Sequence, residues 1–275
     1  MIYSLSSFHL YLAEREAASL TREKYLRAVK VFLAWLGDNS LEKSAVLAYK
    51  SAIAEKYAPA TVNGILAALG AFFAHIGRPE LRVKSMRVQK SVFLPKEKEL
   101  TRTEYERLLA VAKAKKNERL YLLMQTISAT GIRVSELRFI TVEALRHGYA
   151  DVTNKGKTRR VFLPRPLTRA LLDYTKGKRL TQGSVFVTKR GTPLDRSNIW
   201  ADMKRLCEMA RVARSKVFPH NLRHLFARTF YSIEKDIVRL ADILGHTSIN
   251  TTRIYTAESG EVHRQKLEKL ARLLC

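Results

Sequence analysis

Between Gly77 and Leu100 the chain carries Pro79 and Pro95, no sustained helical apolar period, and seven basic residues: Arg78, Arg82, Lys84, Arg87, Lys90, Lys96 and Lys98. A stretch of about 20 residues with no element of its own is long for a loop inside one domain. It reads as an extended basic linker, so the chain is expected to fold as two units, residues 1–77 and 101–275, joined by 78–100. A length of 275 residues fits about two domains, and 46% apolar residues supply a core for each. The longest apolar run, Ile65–Ala74, has ten residues, against the roughly 20 that a bilayer span needs. Met1–Glu14 has neither a basic leader region nor a small-residue cleavage site, so no signal peptide is expected. Cys207 and Cys275, the two cysteines, make neither a disulfide framework nor a metal cluster and fit a reducing, cytoplasmic setting.

The first unit reads as all helical. Leu5, Phe8 and Leu12 recur at three- and four-residue steps, as do Tyr25, Val29, Phe32, Leu33 and Leu36 before Gly37. Val46, Tyr49 and Ile53 mark a third helix. A fourth runs from Thr61 to Ile76 with Gly77 behind it. In the second unit, Thr101-Arg102-Thr103-Glu104 is a capping box ahead of Tyr105, Leu108, Leu109 and Ala112. Helices are expected at 119–128, 132–140, 167–176, 197–211 (with Ser197 as N-cap), 219–232, 236–244 and 261–273. Tyr149–Thr153 and Arg160–Leu163 flank Asn154-Lys155-Gly156-Lys157 as a hairpin turning at Gly156. Val185–Thr188 reads as another short strand. The expected fold is mainly α with a small β-hairpin.

Charge narrows the partners. Fifty Lys+Arg against 25 Asp+Glu leave +25 and a pI near 10.3, and residues 96–275 hold 37 of the basic residues against 18 acidic ones. So much positive charge repels itself in a compact fold unless a polyanion is the partner. Nucleic acid is the leading polyanion, because each phosphate neutralised releases counterions. In the linker, Arg82, Lys84, Arg87 and Lys90 are placed as phosphate contacts; Lys157 and Arg159 on the hairpin are placed likewise. The chain has no Gly-rich phosphate loop ending in Lys-Ser/Thr, no paired Cys motif and no His-Glu-x-x-His, so the signatures of NTP and zinc chemistry are missing. Neither a metal nor a cofactor is expected.

What remains is a set of cations and one tyrosine. Arg133 lies in Ala129-Thr130-Gly131-Ile132-Arg133-Val134-Ser135-Glu136-Leu137, at a helix start that suits an anion. Arg133 and Glu136, at i and i+3, equally fit an ordinary helix ion pair. His220 and Arg223 lie in Pro219-His220-Asn221-Leu222-Arg223-His224, with Pro219 at the first helical position and the two side chains three apart on one face. In Leu244-Gly245-His246-Thr247-Ser248-Ile249-Asn250-Thr251-Thr252-Arg253-Ile254-Tyr255, Gly245 ends one helix and holds His246 at the corner. Ser248 can cap a short helix that presents Tyr255 about two turns on; on its own, Tyr255 also fits a buried structural tyrosine.

Taken together and in this order, the three segments resemble the tyrosine recombinase (phage integrase) family, most closely its compact bacterial Xer-like members, over nearly the whole chain. Ala60-Thr61-Val62-Asn63 at the start of the fourth helix belongs to the same resemblance. It implies a small four-helix, SAM-like core-binding domain and an α+β catalytic domain, closing as a C-shaped clamp on double-stranded DNA. It implies Tyr255 as nucleophile, forming a 3′-phosphotyrosyl bond and freeing a 5′-hydroxyl. Arg133 and Arg223 clamp the non-bridging oxygens, His220 helps the nucleophile lose its proton, and His246 hydrogen-bonds the phosphate. A hairpin lysine protonates the leaving oxygen. Lys155 starts the family's Lys-Gly pair, although Asn154 stands where the family has a Gly, and Lys157 is the competitor. The resemblance further implies strand exchange through a Holliday junction by a homotetramer on two DNA sites, from protomers that are monomeric or weakly associated in solution, with an accessory protein in some systems. The terminal helix, 261–274, would dock on its own domain or on a neighbouring protomer.

The chemistry favours these roles independently of the resemblance. Charge on the equatorial oxygens of the transition state is stabilised by preorganised cations, and arginine meets two oxygens at once without losing its proton. A phenol with a pKa of about 10 needs neighbouring positive charge or a base. Topoisomerase-like cutting and resealing, or a non-catalytic DNA-binding protein of the same fold, are the competing readings. A covalent adduct separates the enzymes from the binder, and resolution of a two-site plasmid separates recombinase from topoisomerase.

Overall fold

The computed structural model describes residues 4–87, 99–154, 156–256, 268 and 271. The chain divides into two compact units, Met1–Lys90 and Ser91–Cys275. The first is built from α1 (Leu5–Glu14), α2 (Ser19–Leu36), α3 (Lys43–Lys56) and α4 (Pro59–His75). Their apolar faces meet in an aromatic core, with Phe8 edge-on to Phe72 and Phe32 edge-on to Tyr49 at centroid distances of 5.4 and 5.0 Å.

The front half of the expected linker is part of this first unit. Pro79–Leu81 forms a 3-10 turn that buries Leu81 in the helical core. Beyond it, the Asn63 amide grips the backbone of Met86, accepting from its N–H at 2.7 Å and donating to its carbonyl at 2.9 Å. Arg82, Lys84 and Arg87 remain exposed along this stretch; Arg82 Nε donates to the Gly70 carbonyl at 3.0 Å. Lys90 lies outside the described residues.

The second unit begins with α5 (Arg102–Ala114), whose Thr101–Glu104 capping box forms as expected. It continues through α6 (Glu118–Thr130), α7 (Val142–His147), the antiparallel pair β1 (Tyr149–Asn154) and β2 (Lys157–Phe162), α8 (Arg165–Gly177), α9 (Arg196–Lys204), α10 (Pro219–Glu234), α11 (Ile237–Leu244) and α12 (Ile249–Thr256). The apolar α6 runs through its middle, packed on α5, α8 and α10. In the hairpin, Tyr149 pairs with Phe162 and Asn154 with Lys157. Ala150, Val152 and Val161 turn into the core, while Arg160 and Asp151 pair on the exposed face at 2.9 Å. No helix among the described residues is long and apolar enough to cross a membrane.

Three local expectations are corrected. No α-helix spans 132–140: Arg133 is extended (φ −74°, ψ 148°) and leads into a 3-10 helix, Val134–Phe139. The cause is Glu136, whose carboxylate takes both the backbone N–H and the guanidinium of Arg133 and bends the chain toward itself. The helix expected over 197–211 is shorter and starts earlier. Asp195 rather than Ser197 is its N-cap, accepting from the Asn198 N–H at 2.7 Å, and turns follow Lys204 up to Arg211 at φ +51°. Val185–Thr188 is no continuous strand; its surroundings hold only the single bridges Thr141–Ser184 and Val187–Pro193. The expected helix at 261–274 lies outside the described residues apart from Glu268 and Ala271, both helical.

Gly131 closes α6 in the left-handed region (φ +64°), and a Cβ there would lie 2.5 Å from the Phe226 ring and 2.9 Å from Leu244. Replacement by alanine therefore combines backbone strain with overpacking. Gly131→Ala should cost about 1–3 kcal/mol, read as a lowered urea midpoint with an unchanged m-value.

Candidate active site

Two helix ends create the site. The last carbonyls of a helix lack intrahelical partners and carry partial negative charge. α6 ends at Gly131 and α11 ends at Gly245, also left-handed at φ +63°. Arg223, one turn into α10 and 1% exposed, donates to both ends: to the Gly131 carbonyl in a very short hydrogen bond and to the Leu244 carbonyl at 2.7 Å. Arg133 Nη2 donates to the Gly245 carbonyl at 3.0 Å. The two arginines are thus held by the same helix terminus, adjacent to each other and preorganised before any ligand binds.

One carboxylate sits beneath them. Glu136, 1% exposed, accepts from Arg133 at 2.9 Å and from Arg159 at 2.7 Å. A lone buried carboxylate is costly unless paired, and two guanidiniums pair it here. Arg133 therefore forms the i, i+3 ion pair with Glu136 and also lines the cleft. Arg159 is not a peripheral surface cation. Strand alternation puts it on the face of Val161, its side chain is 15% exposed, and burial lowers its pKa against the pull of Glu136. A Cβ on Gly245 would collide with its stem, so Gly245 is needed both for its backbone conformation and for this close approach. Arg159 Nε and Nη1 are buried without a hydrogen-bond partner among the described residues.

His246 follows Gly245. Its Nε2 lies 3.0 Å from Arg223 Nη2 and its Nδ1 2.8 Å from the hydroxyl of Thr252, a fully buried residue of α12. Burial and the surrounding cations Arg223 and Arg133 push its pKa down to about 4. Tyr255 lies three residues after Thr252, with its backbone in α12. That helix opens at Ser248, whose hydroxyl accepts from the Asn250 N–H at 3.3 Å. His220 stands exposed in the first turn of α10, where partial desolvation of its ring and the cations Arg223, Arg133 and Arg196 lower its pKa. Its ring meets His224 edge-to-face at 4.6 Å. Pro219 opens α10, as its position in the motif implied. The approach to that helix is braced by Lys216, paired with Glu104 at 2.8 Å, and by Asn221, which donates to the Lys216 carbonyl at 2.7 Å.

A cleft of about 600 Å³ opens over this cluster, lined by Arg133, Lys157, Arg159, Gly245, His246 and Thr251. Arg133, Arg223 and His246 are therefore brought together, with Lys157 on the rim. Lys155 lies outside the described residues. The linker cations belong to the other unit. Sequence reasoning took Glu136 as a partner that orients Arg133 or a neighbouring cation, which the pairs with Arg133 and Arg159 bear out; it missed the three backbone carbonyls that hold the arginines, and Thr252. Among the described residues no cluster of His, Cys, Asp or Glu is placed to hold a metal ion.

The model of the phage integrase family matches residues 98–261, more than half of the chain, and the chain belongs to that family. It is similar to the tyrosine recombinase XerA of Thermococcus kodakarensis, 30% identical over 98% of this chain and 95% of that protein. XerA of Pyrococcus furiosus is 29% identical over 96% and 93%. Among solved structures, the XerH site-specific recombinase bound to its difH substrate in a pre-cleavage complex shares the fold, with a TM-score of 0.72 and 24% identity over 94% of this chain and 80% of that one.

The histidines give the unit a pH signature. His246 and His224 have folded-state pKa values of about 4 and about 3, the latter depressed by burial, His220 and Arg228, against 6.5 for a free imidazole. Between those values the unfolded chain binds more protons, so stability rises with pH. The urea midpoint should fall steadily as pH is lowered from about 6.5 toward 4. His224→Phe should flatten that slope by about one proton.

Proposed function

We propose that the chain is a site-specific DNA recombinase that cuts and rejoins strands through a tyrosine-linked intermediate. The observation that carries this reading is the cluster of Arg133, His246 and Arg223 beside the helix that holds Tyr255, with Arg133 and His246 lining one cleft and Arg223 buried against His246. In the reaction, the Tyr255 phenol attacks a backbone phosphate, the bond to the 5′-oxygen breaks, and a 3′-phosphotyrosyl link forms. A 5′-hydroxyl from another strand reverses the step, and the phosphodiester energy is kept in the covalent link, so rejoining consumes no nucleotide.

Each residue has a physical task. Arg133 and Arg223 are held in fixed orientations by backbone carbonyls, so they stabilise charge on the non-bridging oxygens with little reorganisation. His220, kept mostly neutral near pH 7, can take the phenol's proton. Lys155, with Lys157 as alternative, gives a proton to the departing 5′-oxygen. Double-stranded DNA fits the +25 charge, and Arg82, Lys84 and Arg87, exposed on the first unit, suit phosphate contacts that position without reading sequence. The same reading has the two units clamp the duplex, with Lys90 and the rest of the linker crossing it. Four protomers act on two sites, coupled through the terminal helix 261–274. Its setting is the cytoplasm, at the nucleoid.

Tyr255→Phe should abolish the covalent protein–DNA adduct on a denaturing gel while leaving the mobility shift nearly intact, because it removes one oxygen and no charge. Arg223→Ala should slow adduct formation about 10²–10³-fold, the size seen when one preorganised transition-state donor is lost. Adduct formation by Tyr255→Phe would move the nucleophile to another residue. Equal losses in binding and cleavage for Arg223→Ala would reduce that arginine to a general phosphate contact. Resolution of a two-site plasmid by the unaltered protein separates strand exchange from cutting and resealing alone.

A further inference from the structure

We infer that Thr252 is a positioning residue that anchors the ring of His246 by accepting from its Nδ1–H and so ties His246, the partner of Arg223, to the seating of the tyrosine helix. The inference rests on the functional reading above and concerns the same site. An arginine only donates hydrogen bonds. With Arg223 Nη2 at 3.0 Å, His246 Nε2 must therefore be the acceptor. A neutral imidazole then carries its proton on Nδ1, and the group facing Nδ1 is the Thr252 hydroxyl at 2.8 Å. That hydroxyl is the acceptor for Nδ1–H. Thr252 is 0% exposed, so water cannot stand in for it.

The consequence is a chain of three contacts from α12 to the phosphate clamp. Thr252 accepts from Nδ1–H and holds the ring in place; Arg223 donates to the bare Nε2; Nε2 in turn holds one edge of the Arg223 guanidinium. In this state His246 acts on the phosphate through Arg223 rather than as a donor of its own. Thr252 belongs to the same two-turn helix as Tyr255. A displacement of the nucleophile helix therefore also loosens the arginine, and a protomer whose tyrosine is out of place has a weakened clamp. The coupling needs no movement of Glu136 or Arg133, which are held independently by the Gly245 carbonyl and by each other.

The test uses the full chain and a nicked duplex carrying its target site. Thr252→Val keeps the shape of the side chain and removes the hydroxyl, leaving Nδ1–H unpaired. Single-turnover cleavage should fall about tenfold to a hundredfold, as for a buried donor stripped of its partner, with the Kd for the same DNA unchanged. Thr252→Ser should restore most of the rate. In a His246→Ala background, Thr252→Val should cost nothing more. Ring ¹⁵N spectra of the DNA-free protein should show His246 protonated at Nδ1 and bare at Nε2, with the hydrogen-bond shift of Nδ1–H lost in Thr252→Val. A wild-type cleavage rate in Thr252→Val, failure of Thr252→Ser to rescue, or additive losses with His246→Ala would each overturn the inference. So would an Nε2–H tautomer in the unaltered protein, a readout that survives even if Thr252→Val does not fold. Absence of any adduct from the unaltered protein would instead overturn the functional reading and leave the spectroscopic result standing.

Discussion

A buried guanidinium is the constraint on which the catalytic unit is arranged. Moving Arg223 out of water costs several kcal/mol unless its donors are met, and the unit meets them with backbone rather than with a surface carboxylate. Gly131 and Leu244 each supply a carbonyl from a helix end. That choice dictates local geometry in both places. α6 and α11 must stop where they do, each must stop at a left-handed residue, and α10 must pass between them close enough for Phe226 to occupy the space a Cβ on Gly131 would need. Once these three helices are tied by one side chain, the corner bearing Gly245 and His246 is fixed, and Arg133 reaches its carbonyl from the other side.

The electrostatics follow from that packing. Three arginines gather here: Arg133 and Arg159 line the cleft, Arg223 is buried against His246, and Glu136 is the buried carboxylate among them. It pairs two of the three. The imbalance leaves net positive charge facing the cleft, and this charge adds to burial, the larger cause, in keeping the histidines neutral: each also has arginines among the causes of its lowered pKa. Neutral histidines can accept a proton or a hydrogen bond where charged ones cannot. The arginines thus have two effects, holding an anion and setting the protonation of the groups that work beside it.

How much of this was legible in the sequence varies with the range of the interaction. Helices with a strong apolar period and a glycine stop, such as α2 and α4, stand where the periodicity puts them, because burial of one face decides them locally. The capping box at Thr101 and the corner at Gly245 were legible for the same reason. The helix expected over 132–140 was not, because Glu136 is committed to Arg133 and to Arg159 across 23 residues, and that pairing outweighs helix propensity. Residues 78–87 read as linker because prolines and cations hide the one apolar anchor, Leu81, and the distant amide of Asn63. The burial of Arg159 was not legible from charge alone; strand register, which puts it two residues from Val161, was the available signal. Thr252 stood within the quoted motif, but a threonine beside another threonine in a polar helix gives no sign of which hydroxyl is buried.

The chain therefore separates two uses of positive charge by depth. Exposed cations such as Arg82, Lys84 and Arg87 interact through water, where salt screens them within about 10 Å at 0.1 M, and their sum sets how tightly a polyanion is held. Arg223 is buried and Arg133 partly so, their orientation is fixed by carbonyls rather than by the ligand, and their effect on a transition state is screened less. Rising salt should thus weaken encounter and binding steeply yet leave the rate of the bound complex nearly constant. A protein that used one population of cations for both tasks could not show that separation, because every counterion that loosened the duplex would also slow the chemistry.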